Sequence, residues 1–241
     1  MVHISDTYDQ MGLRAAKDLL DIVLPLKYPV ICTASGDTPK KMYEHLIQIV
    51  HEKNIDVSGW NFLGLDEWMG MNAGDEGSCR YHLDRQLLWP LKIKEEKIIF
   101  FDGKANGAQE CERIESFIAA HKHIDVSIVG LGLNGHVGMN EPGSSENSRA
   151  RVTEIAPLTQ QVGQKYFSNQ QMLDKGLTLG MADILESSHV FLLVNGSKKA
   201  SITQQVMEGE ISEQIPASLL RRHASLEIYL DKEAAAELHS I

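Results

Sequence analysis

The sequence predicts a single α/β domain built on a Rossmann-like, open, mostly parallel sheet with helices on both faces. Three observations carry that expectation. Short apolar runs bounded by glycine or proline alternate with segments of helical spacing every few tens of residues, the pattern of right-handed βαβ units. Several runs are apolar at successive positions rather than at alternate ones, as strands covered on both faces are. Polar, glycine-rich turns follow the runs directly, at the carboxyl ends where open α/β sheets place their ligands. At 241 residues the chain suits one such domain over 1–241 and needs no second.

Residues 8–24 place Met11, Leu13, Ala15, Ala16, Leu19, Leu20, Ile22 and Val23 at helical spacing, and Pro25 closes the run. Pro29 to Ala34 reads as a buried strand that runs into Ser35-Gly36-Asp37-Thr38-Pro39. A helical stretch from Lys40 follows. Thr38 suits an N-cap and Pro39 the first helical position, so hydroxyls and free N–H groups would face an anion there. An ordinary capped helix has the same residues. Asn61 to Leu65 is a further strand, ending in Asp66-Glu67-Trp68. Side chains alternate across a strand, so the two carboxylates diverge. The alternation Phe62, Gly64, Asp66 against Leu63, Leu65, Glu67 favours Asp66 as the cleft residue.

Ser78 to Leu88 reads as a helix, Lys97 to Phe101 as a strand and Gln109 to His121 as a helix. Ile124 to Ile128 begins the most informative stretch, a strand that passes into Val129-Gly130-Leu131-Gly132-Leu133-Asn134-Gly135-His136-Val137-Gly138-Met139-Asn140-Glu141-Pro142-Gly143. Four glycines within nine residues let the backbone bend and approach a ligand, with His136 and Glu141 just beyond. A plain turn would use glycines too. From Pro142 to Thr178 periodicity fades, and a polar excursion suits a lid-like segment around 143–175 or a simple surface connection. Thr178 to Leu185 turns into a short helix, and His189 to Val194 is a strand. After it, Asn195-Gly196-Ser197-Lys198-Lys199 leads a helix to about Met207. Lysines at a helix start oppose its dipole, and a bound phosphate would give them a reason. Ile215 to Leu220 opens another short helix, Leu226 to Leu230 is the last strand, and the tail from Lys232 reads as an amphipathic helix.

Composition narrows the function classes. With 43% hydrophobic and 23% charged residues the chain resembles ordinary soluble proteins, and no apolar run reaches the ~18 to 20 residues that span a bilayer. No membrane association is expected. The N-terminus lacks the basic and apolar regions of a secretory signal, and Cys32, Cys79 and Cys111 are odd in number and unpaired in spacing. These features point to the cytoplasm. A net charge of −10 speaks against a nucleic-acid surface, so an anionic ligand would be held by local groups.

The motifs SGDTP, LDEW, GLGLNGHVGMNEPG, TLGMADIL, NGSKKA and IPASLL, in that order over nearly the whole chain, resemble the family of glucosamine-6-phosphate and galactosamine-6-phosphate isomerases (deaminases), which includes the 6-phosphogluconolactonases. LDEW, LGLNGH and NEPG look closest to the galactosamine-6-phosphate branch. NEPG, with Glu141, favours the deaminase side. The resemblance implies a cofactor-independent, metal-free conversion of a 2-amino-2-deoxyhexose 6-phosphate to a ketose phosphate and ammonia. His136 would open the ring, with Glu141 orienting it and joining in proton transfer, and Asp66 would be the base at C2. Ser35, Gly36, Asp37, Thr38 and Gly135 would contact the substrate, and Lys199 would face its phosphate. A homo-oligomer is compatible with it.

Three positions depart from the family pattern. Asn134 stands where the glucosamine-6-phosphate enzymes usually have an aspartate, and an amide orients a ring without supplying charge. Lys165 falls by count where they have an active-site arginine, losing bidentate geometry. Arg151 matches the arginine of the hexameric enzymes' allosteric pocket, but Thr153 replaces its lysine, so no such activation is expected. A glucosamine-6-phosphate deaminase, a 6-phosphogluconolactonase using His136 to activate water, and a sugar-phosphate-binding regulator are the other readings.

Overall fold

Successive side chains of the central strands point to opposite faces and are buried on both, which is why this chain folds around one main sheet with a core on either side. In the computed structural model, which describes residues Met1–His239, the elements are β1 (Val2–Ser5), α1 (Tyr8–Val23), β2 (Val30–Thr33), α2 (Lys40–Glu52), β3 (Asn61–Gly64), β4 (Asp66–Trp68), α3 (Cys79–Leu83), β5 (Ile98–Ile99), α4 (Gly107–His121) and β6 (Val126–Gly130). After β6 come β7 (Arg151–Glu154), α5 (Pro157–Gly163), β8 (Lys175–Thr178), α6 (Met181–Leu185), β9 (His189–Val194), α7 (Ala200–Glu208), α8 (Pro216–Leu219) and β10 (Leu226–Asp231).

The main sheet has seven strands in the order β1-β10-β9-β6-β2-β3-β5, and its pairings are all parallel. Ile31, Val126, Ile128, Phe191, Leu193 and Tyr229 face one core, packed with residues of α1, α2 and α3. Their neighbours Cys32, Val129, Leu192, Val194 and Leu230 face a second core, with residues of α4, α6, α7 and α8. The expected open α/β architecture, helices on both faces, is what the protein adopts. From β2 the chain moves outward to β3 and β5, then crosses back to place β6 on the other side of β2. The order therefore reverses between β2 and β6, and a crevice opens above their carboxyl ends.

Differences from the sequence reading cluster where local pattern is weak. β1 was not anticipated; it is a four-residue edge strand in register with β10, Val2 opposite Ile228. The 143–175 region is not featureless: β7 and β8 join β4 in a three-stranded antiparallel sheet, with α5 between them. The strand expected from Asn61 to Leu65 is consequently separated from the Asp66-Glu67-Trp68 that ends it, because Leu65 N–H still bonds Thr33 while Asp66 already pairs with Thr178 in the small sheet. The helix expected from Ser78 to Leu88 is α3 followed by a π-turn over Asp84–Leu88. The tail from Lys232 is a series of turns to Glu237 rather than a helix, and Ser240 and Ile241 lie outside the described residues. Among the described residues no helix is long and apolar enough to cross a membrane.

Candidate active site

The crevice at the sheet edge is a cleft of about 220 Å³. Its walls come from the loop after β2, from Asp66 and Trp68 of β4, from the turn after β6, from Cys79 and His82, from residues 158–166 and from Lys199. Asp66, His136, Ser35, Gly36, Asp37, Thr38, Lys165 and Lys199 all line it. Asn134 and Glu141 stand behind His136. Gly135 is not part of the wall: its Cα faces Ile215 and Ile202, and its carbonyl accepts the Ala217 N–H at 2.9 Å. Its positive φ of 85° shapes the turn, so its expected place among the substrate contacts is corrected to a backbone role.

The phosphate-loop candidate is pinned from several sides. Lys40 N–H closes a turn on the Asp37 carbonyl at 3.3 Å and Tyr43 N–H reaches the Pro39 carbonyl at 2.9 Å, so α2 starts one residue later than expected, with Pro39 rather than Thr38 at the cap position. No side-chain cap forms, and Thr38 stays at the cleft. Tyr8 Oη donates to the Asp37 carbonyl and accepts from Lys41 N–H at 3.1 Å. Lys165 Nζ meets Asp37 Oδ2 at 2.5 Å, and the Tyr166 hydroxyl packs against Gly36, where a Cβ would come within 2.9 Å of it. Lys199, in the 3₁₀ turn before α7, donates to the Leu131 carbonyl, and among the described residues it pairs with no carboxylate. Burial, with the neighbouring Lys165 charge, lowers its pKa to about 8.

At the other end two adjacent carboxylates divide their work. Glu67 is buried and accepts N–H groups of Trp68 at 2.8 Å, Cys79 at 2.9 Å and Arg80 at 3.0 Å. Burial nonetheless pushes its pKa up to about 7. Asp66 opens on the cleft. Burial raises it to about 6, with the Cys79 thiol and the His136 charge pulling the other way. A carboxyl group of that strength is ionised near neutrality and can still take a proton.

His136 is held by a relay. Its Nδ1 lies 2.7 Å from Asn134 Oδ1, and Asn134 Nδ2 donates to Glu141 Oε2 at 2.8 Å. An amide oxygen only accepts, so Nδ1 carries the proton in the neutral ring and Nε2 is left as the acceptor. Thr159 Oγ1 adds a contact to Nδ1 at 3.2 Å, while Glu141 itself is 3.5 Å from that nitrogen. Burial would raise Glu141, but the bond to His136 and its charge, with Thr159 and Asn134, bring it down to about 2. Gly132 lies flat on the imidazole; a Cβ there would stand 2.3 Å from the ring.

Cys79, His82, Thr159 and Tyr166 are site residues that sequence reasoning passed over. Pro157 before Leu158 and Val162 was a legible start signal for α5, but no local pattern marks Thr159 or Tyr166. Among the described residues no group of three or more His, Cys, Asp or Glu could hold a metal ion.

Comparison with known proteins agrees with this geometry. A protein of Escherichia coli (strain K12) named "Putative deaminase AgaI" is 34% identical over 220 residues, 91% of this chain and 87% of its own. Glucosamine-6-phosphate deaminase 1 of Bacillus subtilis (strain 168) is 32% identical over 232 residues, covering 95% and 96%. The solved structure of a monomeric glucosamine-6-phosphate deaminase superposes with a TM-score of 0.94 at 31% identity, over 98% of this chain and 99% of that one. A 6-phosphogluconolactonase from Thermotoga maritima shares the fold, with a TM-score of 0.77 at 18% identity over 96% and 98%. The model of the family described as glucosamine-6-phosphate isomerases/6-phosphogluconolactonase matches residues 10–229, which takes in every strand end that lines the cleft, and the chain belongs to that family.

Proposed function

We propose that the protein is an amino-sugar 6-phosphate isomerase and deaminase that converts galactosamine 6-phosphate to tagatose 6-phosphate and ammonia. The observation that carries this reading is the meeting, in one cleft, of a solitary carboxylate and a relay-held imidazole with a hydroxyl-rich loop and Lys199. Ser35, Gly36 and Thr38 offer hydroxyl and backbone groups to the phosphate, and Lys199 supplies charge. Asp37 serves through its backbone, since its carboxylate is spent on Lys165.

His136 Nε2 takes the proton of the anomeric hydroxyl and returns one to the ring oxygen, opening the sugar to its aldehyde. Asp66 then removes the C2 proton, giving an enolamine, and delivers a proton to C1. The product is a 2-imine; water adds to it and ammonia leaves, so the net change is hydrolytic loss of the amine from C2. The substrate's own carbonyl and amine act as electron sinks, and no cofactor enters. Glu141 acts through Asn134 by favouring the imidazolium while the ring proton is in transit.

The forms LDEW, LGLNGH and NEPG support galactosamine 6-phosphate over its C4 epimer. Glucosamine 6-phosphate, giving fructose 6-phosphate, is the second reading, supported by the names of the Bacillus subtilis relative and of the solved structure. Ammonia release from both amino-sugar phosphates, measured beside hydrolysis of 6-phosphogluconolactone, tests the proposal. Faster release from the galactosamine epimer is expected. Lactone hydrolysis without ammonia release would overturn the deaminase reading.

A further inference from the structure

Tyr8 takes no part in the reaction just described and stands outside the cleft wall, yet it holds the phosphate loop from behind. It is the first residue of α1, where Thr7 caps the helix by accepting the Gln10 N–H at 3.2 Å. One turn on, Gly12 lets α1 lie directly against the start of α2: a Cβ there would come within 2.7 Å of the Lys41 backbone. Tyr8 and Gly12 are four residues apart and share that helix face, so the phenol arrives where the loop passes into α2. The Asp37 side chain is held from the cleft side by Lys165, and its carbonyl from the α1 side by Tyr8.

The first N–H groups of a helix have no partner within it, and α2 has no side-chain cap. Tyr8 fills that gap from another helix. An amide N–H only donates and a carbonyl only accepts, so the hydroxyl accepts from Lys41 N–H at 3.1 Å and gives its own proton to the Asp37 carbonyl. Burial raises the phenol to about 12, so it keeps that proton throughout the neutral range. The carbonyl's other partner, Lys40 N–H at 3.3 Å, is beyond the ordinary range of an amide bond. Across a trans peptide a carbonyl and the following N–H point in opposite directions. With the Asp37 carbonyl turned to Tyr8, the Thr38 N–H is turned away from it, and among the described residues that N–H has no partner.

We infer that Tyr8 is a positioning residue for phosphate binding: by holding the Asp37 carbonyl on α1 and the Lys41 N–H at the start of α2, its hydroxyl keeps the Thr38 N–H turned to the cleft for an anion. The inference rests on the reading of Ser35 to Thr38 as the phosphate loop. A phenol suits the task because it is donor and acceptor at once and is carried on a rigid ring. It fixes one peptide plane before the ligand arrives, so less ordering is left for the binding step.

The test is equilibrium binding of inorganic phosphate to wild type and Tyr8→Phe, beside KM and kcat for ammonia release from whichever amino-sugar phosphate is turned over faster. Tyr8→Phe keeps the ring and loses the hydroxyl. The phosphate Kd and the KM should both rise by roughly threefold to tenfold, the worth of one ordinary hydrogen bond, with kcat held. Loss of stability alone would lower Tm and leave both constants where they were. An unchanged phosphate Kd, or a fall in kcat at constant KM, overturns the role of Tyr8, and Tyr8→Leu, which also lacks the hydroxyl, decides alone if Tyr8→Phe does not fold. Lys199→Ala in the same binding experiment separates the two levels. A Kd weakened by Lys199→Ala but not by Tyr8→Phe removes only the tyrosine's role, and a Kd weakened by neither removes the phosphate reading of the loop itself.

Discussion

The two ends of the cleft hold charge in opposite ways. At the phosphate end one cation has no carboxylate among the described residues: Lys199 is bonded to the Leu131 carbonyl, while Lys165 is matched with Asp37 in a half-exposed pair worth little by itself. At the acid/base end Asp66 opens on the cleft and Glu141 Oε1 is buried without a hydrogen-bond partner among the described residues, while the other groups are tied. The imidazole, an amide and a buried carboxylate are linked in line, and Glu67 is saturated by backbone N–H groups. The first arrangement waits for an anion to complete it. In the second the imidazole is oriented before substrate arrives, so a proton can move with little reorganisation of its surroundings. If that contrast is right, damage at one end should appear in kcat and damage at the other in KM.

The largest effect should follow from Asp66→Asn. The amide keeps the shape and loses the base, so kcat should fall by ~10²–10⁴-fold with KM nearly unchanged. Steady-state ammonia release checks this, and a change in KM alone would dissolve the contrast. Acidification has a related signature. Asp66, raised to about 6, is the conjugate base above that value, so kcat/KM should decline as pH drops through it.

Next in size is Lys199→Ala, which should raise KM by roughly tenfold to a hundredfold through loss of one charge-assisted contact and leave kcat close to wild type. Its lowered pKa, about 8, means the cation is lost sooner than from a free lysine as pH rises. Wild-type KM should therefore climb above about pH 8. Lys199→Arg stays charged and should lose that climb. A KM for the phosphorylated sugar unaffected by Lys199→Ala would mark this side chain as structural.

A smaller change, about tenfold in kcat, is expected from breaking the relay without touching its imidazole. Glu141→Gln keeps the shape and deletes the charge behind Asn134. Asn134→Asp supplies charge nearer the ring, but it replaces a 2.8 Å donor–acceptor contact to Glu141 by two carboxylates, which must share a proton or move apart. Both should lower kcat and spare KM. If Asn134→Asp proves faster than wild type, the amide is a weaker substitute for a carboxylate, not a coupling element between two groups.

Legibility of the site divides along the same contrast. Residues following β2, β3, β6 and β9 could be gathered from sequence alone because every parallel strand delivers its carboxyl end to one edge, and apolar runs mark those strands well. Asp66 was separable from Glu67 by simple alternation. Of the wall from 157 to 166 only Lys165 was placed in advance, by count against the family pattern and not from any local periodicity. Thr159, Lys165 and Tyr166 reach the cleft because β7 and β8 pair with β4, and a three-stranded antiparallel sheet of three- and four-residue strands leaves little periodicity to read.

Asn134 shows how far composition of a motif goes. As a residue type it promised an orienting group without charge. In place it does orient His136, and it also carries the influence of Glu141, whose Oε2 is bonded to its other end. Cys79 is the opposite case, a buried residue with no motif around it that reaches the cleft wall only because its backbone N–H is anchored on Glu67. The sequence by itself determined the sheet, the two cores and the strand ends that bear chemistry, because burial periodicity and glycine turns are local properties of the chain. Tertiary structure decided which of those groups touch, and so which carboxylate is free, which cation is unmatched and which way the imidazole points. Distances of a few ångströms between residues dozens of positions apart depend on packing of both cores at once, and no local pattern encodes them.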